Sequence, residues 1–130
     1  MYLFVYGTLR KTFSPHAPSA HHRFLADAIF CGKASIKGHL YSLGNYPAFV
    51  LDENSPTLVK GEIYQINERT LTILDEYEEI DSQNPNSEYQ RRKLDIVTDH
   101  DQALSVWVYL MNQQPDGKEL IESGDWCCEF

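Results

Sequence analysis

One segment of the chain, residues Asn67–Glu79, has a clear helical pattern, and it lies among short runs with the character of β-strands. At 100° per residue its apolar arc contains four residues: Leu71, Ile73, Leu74 and Tyr77. Asn67 is a typical N-cap for such a helix. A single clear helix among many short strands predicts a mixed α+β fold, with a mostly antiparallel sheet or small β-barrel and one main helix.

The strands are predicted from short apolar or alternating runs that end at turn residues. They are Met1–Tyr6, Lys33–Leu43, Ala48–Leu51, Leu58–Ile66, Tyr89–Thr98 and Ala103–Met111, and the last two form a β-hairpin. Weaker patterns predict helical turns within His21–Phe30 and around Lys118–Glu122. The remaining polar segments, Lys11–Ala20 and Asp81–Glu88, are predicted to be loops.

Composition limits the classes of partner. The 130 residues suit a single domain spanning residues 1–130, and a 42% hydrophobic content is that of a globular protein with a real core. A formal net charge of −8 argues against nucleic acid or an anionic membrane as partner. The basic run Arg91-Arg92-Lys93 would alternate between the two faces of a strand, so it does not predict a continuous basic patch.

The sequence also predicts a cytoplasmic protein. No apolar run approaches the roughly 20 residues of a membrane span, and the first residues lack the basic start of a signal peptide. Three cysteines, Cys31, Cys127 and Cys128, indicate no disulfide framework. The oligomeric state is open between a monomer and a homodimer.

A metal site is a minor alternative. His16, His21 and His22 lie close together in the sequence. They lack acidic or thiol partners at regular spacing, so a polar loop that leads into a helix is the better interpretation. We therefore predict no metal site.

Glu78 is the acid that attracts most interest. It lies four residues after Leu74 and seven after Leu71, which places all three on one face of the predicted helix. Glu76 and Glu79 fall on the opposite side. An inward carboxylate is unfavourable unless it is paired or used. Three interpretations remain open on this pattern alone: a functional acid, a buried acid satisfied by an arginine, or a helix that ends one residue early.

Other candidate residues lie at turns and at a strand start. Gly7 ends the first strand and permits a tight turn, after which successive N–H groups can hold a carboxylate or an oxyanion. In the run Tyr6-Gly7-Thr8-Leu9-Arg10, Thr8 adds a hydroxyl and Arg10 adds charge. Each of these also has an ordinary structural interpretation, as a strand end followed by a surface arginine.

Three more residues are candidates for the walls of a pocket. Tyr46 and Pro47 belong to a turn rich in aromatic and small residues. Tyr89 begins a strand and has a hydroxyl that can bind a carboxylate, although a plain cross-strand aromatic is the alternative. Arg91, two residues further on, shares the face of Tyr89 and is expected to pair with an acid.

Taken in order, these segments resemble the γ-glutamylcyclotransferase-like family, in particular its AIG2-like and γ-glutamylamine cyclotransferase branch. The resemblance is carried by Tyr6-Gly7-Thr8-Leu9-Arg10, Tyr46-Pro47-Ala48, Val59-Lys60-Gly61-Glu62-Ile63-Tyr64, Leu74-Asp75 with Tyr77-Glu78, and Tyr89 with Arg91. It extends over roughly Met1–Tyr109. The chain differs from the family in having Glu79 where glycine is usual and in its longer segment Lys11–Ala20.

The resemblance implies an enzyme built on a small β-barrel. Its expected reaction cyclises the γ-glutamyl group of a small γ-glutamyl amine, amino acid or peptide to 5-oxoproline and releases the free amine. It implies that Glu78 is the general acid and base, that the backbone of Tyr6–Leu9 holds the substrate, and that the reaction requires no cofactor. The alternative is a non-catalytic module that binds a small carboxylate in the same pocket.

Overall fold

The computed structural model describes residues 1–6, 28–42, 47–77, 89–111 and 119–124. Within these ranges, no helix is both long and apolar enough to cross a membrane. The backbone positions of Pro47, Glu76, Tyr77, Tyr89 and Glu119 are described without their side chains.

The described residues form seven strands and one helix. In chain order these are β1 (Tyr2–Val5), β2 (Ile29–Ser42), β3 (Pro47–Leu51), β4 (Leu58–Gln65), α1 (Glu68–Tyr77), β5 (Tyr89–Val97), β6 (Ala103–Met111) and β7 (Glu119–Leu120). The predicted strands and the predicted main helix are all present, with boundaries that differ by a few residues.

The seven strands form one sheet in the order β3-β2-β4-β1-β6-β5, with β7 paired to β2. The pairs are antiparallel except for β1 and β6, which run parallel. An isolated bridge joins Ala34 of β2 to Thr98, directly after β5, and the Asp99 N–H donates to the Lys33 carbonyl at 3.0 Å. The sheet therefore curls into a half-barrel, and the predicted mixed α+β fold with a mostly antiparallel sheet and one main helix is confirmed over the residues that the structure describes.

Two hydrophobic clusters lie on opposite faces of this sheet. The strand β1 alternates between them, with Phe4 and Tyr6 in the larger cluster and Leu3 and Val5 in the smaller one. The smaller cluster lies beneath the helix; it consists of Leu3, Val5, Tyr64, Ile66, Leu71, Leu74 and Tyr109. The helix thus covers the outer face of the three central strands β4, β1 and β6.

The close approach of β1 to β4 requires a glycine. A Cβ at Gly61 would lie 2.4 Å from the Val5 carbonyl oxygen and 2.5 Å from Cζ of Phe4. Both distances are far below van der Waals contact. Glycine is therefore required at position 61 of the run Val59–Tyr64 for steric reasons, because a side chain there would separate the two strands.

Two weak helical predictions are wrong where the structure tests them. Ile29 and Phe30, expected in helical turns, are the first residues of β2 and pair with Gln65 and Tyr64. Glu119 and Leu120, expected in a weak helix, form β7 and pair with Ser42 and Tyr41 of β2. Both segments were assigned from local pattern, whereas hydrogen bonds to distant strands decide their structure.

One detail of the helix also differs from prediction. Ile73, placed on the apolar arc, is 42% exposed, whereas Leu71 and Leu74 are buried. The contact face of α1 is therefore narrower than its apolar arc. The predicted loops Lys11–Ala20 and Asp81–Glu88 lie outside the described residues.

Candidate functional site

Most of the predicted site residues fall outside what the structure describes. Those beyond its ranges are Gly7, Thr8, Leu9, Arg10, Tyr46 and Glu78. Pro47 and Tyr89 are the first residues of β3 and β5, without described side chains. Their roles in a site stay predictions, and the described residues around them give the geometry on which those predictions depend.

Tyr6 is the predicted site residue whose side chain is described. It follows β1 directly, its hydroxyl donates to the main-chain carbonyl of Tyr109 at 2.6 Å, and its ring meets Phe49 edge-on at 5.2 Å between centroids. The hydrogen bond is buried. Tyr6 thus holds the end of β1 against β6 at the point where the chain enters the predicted substrate loop.

The start and the buried side of α1 agree with the sequence pattern. Asn67 accepts a hydrogen bond at Oδ1 from the Thr70 N–H at 2.8 Å, which is the N-cap geometry. Leu71 and Leu74 pack against the sheet in the smaller cluster. These two leucines define the side of the helix on which the prediction for Glu78 depends, and both are buried.

Asp75 joins the helix to two strands. Its Oδ1 accepts a hydrogen bond from the Tyr109 hydroxyl at 2.8 Å and from Nε of Arg91 at 3.2 Å. The expectation that Arg91 pairs with an acid is confirmed, and the acid is Asp75. Both side chains are about a quarter exposed, so solvent screens this pair less than it screens a surface pair.

The basic run of β5 divides between the two faces of the strand as predicted. The Arg91 guanidinium lies 4.4 Å from the centroid of the Trp107 ring, and Nζ of Lys93 lies 5.6 Å from it. Arg92 is exposed and paired in register with Val108. The indole face therefore holds two cations through cation–π contact, and the run forms no continuous basic patch.

A second carboxylate lies on the same face of the sheet as Tyr64 of the smaller cluster. Glu62 on β4 is 1% exposed, and it accepts a hydrogen bond at Oε1 from the Tyr64 hydroxyl at 2.9 Å. It pairs in register with Val5 at the end of β1. Glu62 is therefore a buried acid close to the point where the predicted substrate loop begins.

Sequence reasoning assigned no role to Glu62, Tyr109 or Asp75. The signal for Glu62 was present, because it is an acid within a run of apolar and aromatic strand residues. Tyr109 had no comparable signal: an aromatic residue in an apolar strand is common, and its partners lie 34 and 103 residues away in the chain.

Within the described ranges, no group of three or more His, Cys, Asp or Glu residues is arranged to hold a metal ion. The three histidines that suggested a metal alternative, His16, His21 and His22, lie outside those ranges.

Comparison with known proteins gives a consistent family. The chain matches the family described as gamma-glutamyl cyclotransferase, AIG2-like, over residues 3–128. A gamma-glutamylcyclotransferase family protein of Escherichia coli (strain K12) is 37% identical over 127 residues, covering 97% of this chain and 96% of that protein.

Solved structures share the fold. An AIG2-like protein from Mus musculus superposes with a TM-score of 0.67 at 26% identity, covering 88% of this chain and 79% of the mouse chain. YkqA from Bacillus subtilis superposes with a TM-score of 0.70 at 29% identity, covering 96% of this chain and 39% of that longer one. The resemblance drawn from the motifs is confirmed, and the chain belongs to the gamma-glutamyl cyclotransferase, AIG2-like family.

Proposed function

We propose that this chain is an enzyme that cyclises the γ-glutamyl group of a small γ-glutamyl amine, amino acid or peptide to 5-oxoproline and releases the free amine. Family membership over residues 3–128 supports the reaction class and a small-molecule substrate. One structural observation supports the choice of Glu78 as its acid and base. The helix α1 buries Leu71 and Leu74, the two residues that the helical pattern of the sequence predicts to share a face with position 78.

The reaction is an intramolecular aminolysis. The α-amine nitrogen of the substrate attacks its own γ-carbonyl carbon, which forms the ring C–N bond and breaks the amide C–N bond to the leaving amine. Glu78 takes the proton from the attacking nitrogen and returns it to the leaving nitrogen. The carboxylate is restored at the end, and no co-reactant is consumed.

The protein environment supplies what a free carboxylate lacks. A glutamate with a pKa of about 4.3 is a weak base toward an ammonium group. Apolar surroundings and a position near a helix C-terminus both raise a carboxyl pKa, and the proposal assigns both to Glu78. The second contribution is conformational, since a flexible γ-glutamyl chain must fold so that amine and carbonyl meet.

The predicted substrate contacts divide between backbone and side chains. The N–H groups of Thr8 and Leu9 are proposed to hold the α-carboxylate or the developing oxyanion, where one donor is typically worth ~3 kcal/mol. The position of Tyr6 supports this part of the proposal, because its buried hydrogen bond to Tyr109 fixes the point at which the loop begins. Arg10, Tyr46, Pro47 and Tyr89 complete the proposed substrate-binding set.

A substrate panel tests the proposed activity. γ-Glutamyl amines, γ-glutamyl amino acids, glutathione and γ-glutamyl-lysine peptides are each incubated with the protein, and 5-oxoproline is measured. We expect turnover of at least one class. Binding without turnover across the panel would contradict the proposal and favour the carboxylate-binding module.

The cytoplasmic location and the choice between monomer and homodimer remain predictions, which cell fractionation and light scattering test.

A further inference from the structure

Tyr109 makes contacts in two directions from one position on β6. Its main-chain carbonyl accepts the buried hydrogen bond from the Tyr6 hydroxyl at 2.6 Å. Its own hydroxyl donates to Oδ1 of Asp75 at 2.8 Å. One residue therefore links the end of β1, from which the predicted substrate loop departs, to the helix that leads into Glu78.

Asp75, the residue of α1 that Tyr109 contacts, also has a second partner. The same Asp75 oxygen accepts from Nε of Arg91 at 3.2 Å, and the Arg91 guanidinium is stacked 4.4 Å from the centroid of the Trp107 ring. Because Arg91 belongs to β5 and Tyr109 to β6, the carboxylate of Asp75 is bound to both strands of the hairpin. Two donors and a charged acceptor make this a stronger and more directional anchor than a neutral hydrogen bond.

Asp75 is three residues before Glu78, less than one helical turn along the chain. A shift of α1 along or around its axis would therefore be transmitted directly to Glu78. Proton transfer between two nitrogens is sensitive to such a shift, because a misplacement of about 1 Å can lower a rate about 100-fold.

We propose that Tyr109 and Asp75 are positioning residues for the cyclisation, in that they fix α1, which ends directly before Glu78 in the chain, relative to the start of the predicted substrate loop. This inference rests on the proposed function. Neither residue is assigned contact with the substrate. Their effect on the rate acts through the placement of α1.

The test uses the full-length protein with Tyr109→Phe, Asp75→Asn and the double variant. The phenylalanine keeps the ring and the main-chain carbonyl bound by Tyr6, and removes the hydroxyl that reaches the helix. The chain offers a matched control on the same hairpin, where the Ser105 hydroxyl donates to the carboxylate of Asp95 at an exposed position. Ser105→Ala removes that hydrogen bond, and Asp95→Asn removes the charge of its acceptor, in both cases at positions on the hairpin rather than on α1.

We expect each site variant to lower kcat by about 10- to 100-fold with KM nearly unchanged, because substrate contacts are retained while the acid and base is displaced. The double variant should lose about as much as the worse single variant rather than the product of the two, since both substitutions act on the same hydrogen bond: Tyr109→Phe removes its donor, and Asp75→Asn removes the charge of its acceptor. Hydrogen exchange of the α1 amides at residues 71–75 should be faster in both single variants than in the wild type. The control variants should leave kcat, KM and the exchange of α1 unchanged.

The possible failures are distinguishable. A wild-type protein that makes 5-oxoproline, together with site variants that keep wild-type kcat, would overturn the positioning role and leave the proposed function intact. Variants with a lower melting temperature that keep the wild-type kcat at a temperature where they are folded would likewise overturn the positioning role, because the contacts of Tyr109 and Asp75 would then serve stability alone. A wild-type protein with no turnover on any member of the panel would overturn the proposed function and this inference together.

Discussion

At the scale of single residues, the choice of arginine at position 91 has a physical reason. Its guanidinium offers an Nε donor to Asp75 and lies over the indole ring of Trp107 at the same time. A lysine ammonium is a point charge on a flexible stem, and it matches neither geometry as well.

Arg91→Lys should therefore lower the free energy of unfolding by about 1 kcal/mol although the charge is kept. The matched control is Arg92→Lys, one residue along the same strand at an exposed position, where we expect a change near zero. Urea unfolding of both variants measures the difference. Equal effects at the two positions would show that the stacked and bonded geometry of Arg91 contributes nothing.

Asp52 makes the stability of the fold depend on pH. The Asn54 main-chain N–H, which donates to Oδ1 at 3.0 Å, and then the His39 ring, at 3.0 Å from Oδ2, hold the pKa of Asp52 below its ordinary value of 3.8. A carboxyl whose pKa is lowered by folding stabilises the fold at pH values above its ordinary pKa. That contribution is lost as the pH falls through the lowered value.

Asp52→Asn should therefore lower the melting temperature at pH 7, and the difference from wild type should shrink as the pH falls below about 3.8. Glu53→Gln, at the adjacent exposed position, serves as the control and should show no such trend. Thermal unfolding between pH 2.5 and pH 7 provides the measurement. A difference that stays constant over this range would contradict the assignment to the Asp52 charge.

Gly61 provides a steric prediction. Gly61→Ala should lower the free energy of unfolding by about 1–3 kcal/mol, because the new Cβ meets the Val5 carbonyl and the Phe4 ring of the neighbouring strand. Lys60→Ala, at the preceding exposed position, should change it by less than about 0.5 kcal/mol. Denaturant unfolding tests both. A stable Gly61→Ala protein would show that β1 and β4 separate more easily than the structure indicates.

At the scale of elements, the sequence predicted a helix or strand correctly where residues within that element determine its structure. The start of α1 followed from Asn67, and the hairpin of β5 and β6 followed from two alternating runs separated by a short polar turn. The first residues of β2 and the whole of β7 were missed, because each exists through pairing with a distant strand. Ile73 was misplaced since the periodicity marks apolar residues without showing how wide the contact face is.

The N-cap of α1 provides a prediction at the scale of a single element. Asn67→Ala should lower the free energy of unfolding by about 1 kcal/mol, since the Thr70 N–H loses its acceptor at the helix start. Asn67→Asp keeps an acceptor oxygen and should remain close to wild type. Chemical denaturation of both variants is the measurement. Equal losses in the two would show that the amide group, rather than the cap, is what matters.

At the scale of the whole molecule, the half-barrel and its covering helix explain how segments that are distant in the sequence come into contact. The end of β1, the hairpin and α1 are far apart in the chain, and Tyr109 touches partners on two of them. The family and fold class were predictable from ordered motifs such as Val59–Tyr64. The link through Tyr109 was not, because it depends on the register of β6 beside β1 and on the seating of the helix.

The most direct test of the central claim compares Glu78→Gln with Glu76→Gln, two residues away on the side of the helix predicted to face solvent. The rate of 5-oxoproline formation and the melting temperature are measured for both. General acid and base catalysis typically contributes a factor of about 100 to 10,000. We predict that Glu78→Gln loses at least about 100-fold in turnover at an unchanged melting temperature, while Glu76→Gln retains both. Near-full turnover by Glu78→Gln, or a loss confined to its stability, would contradict the account.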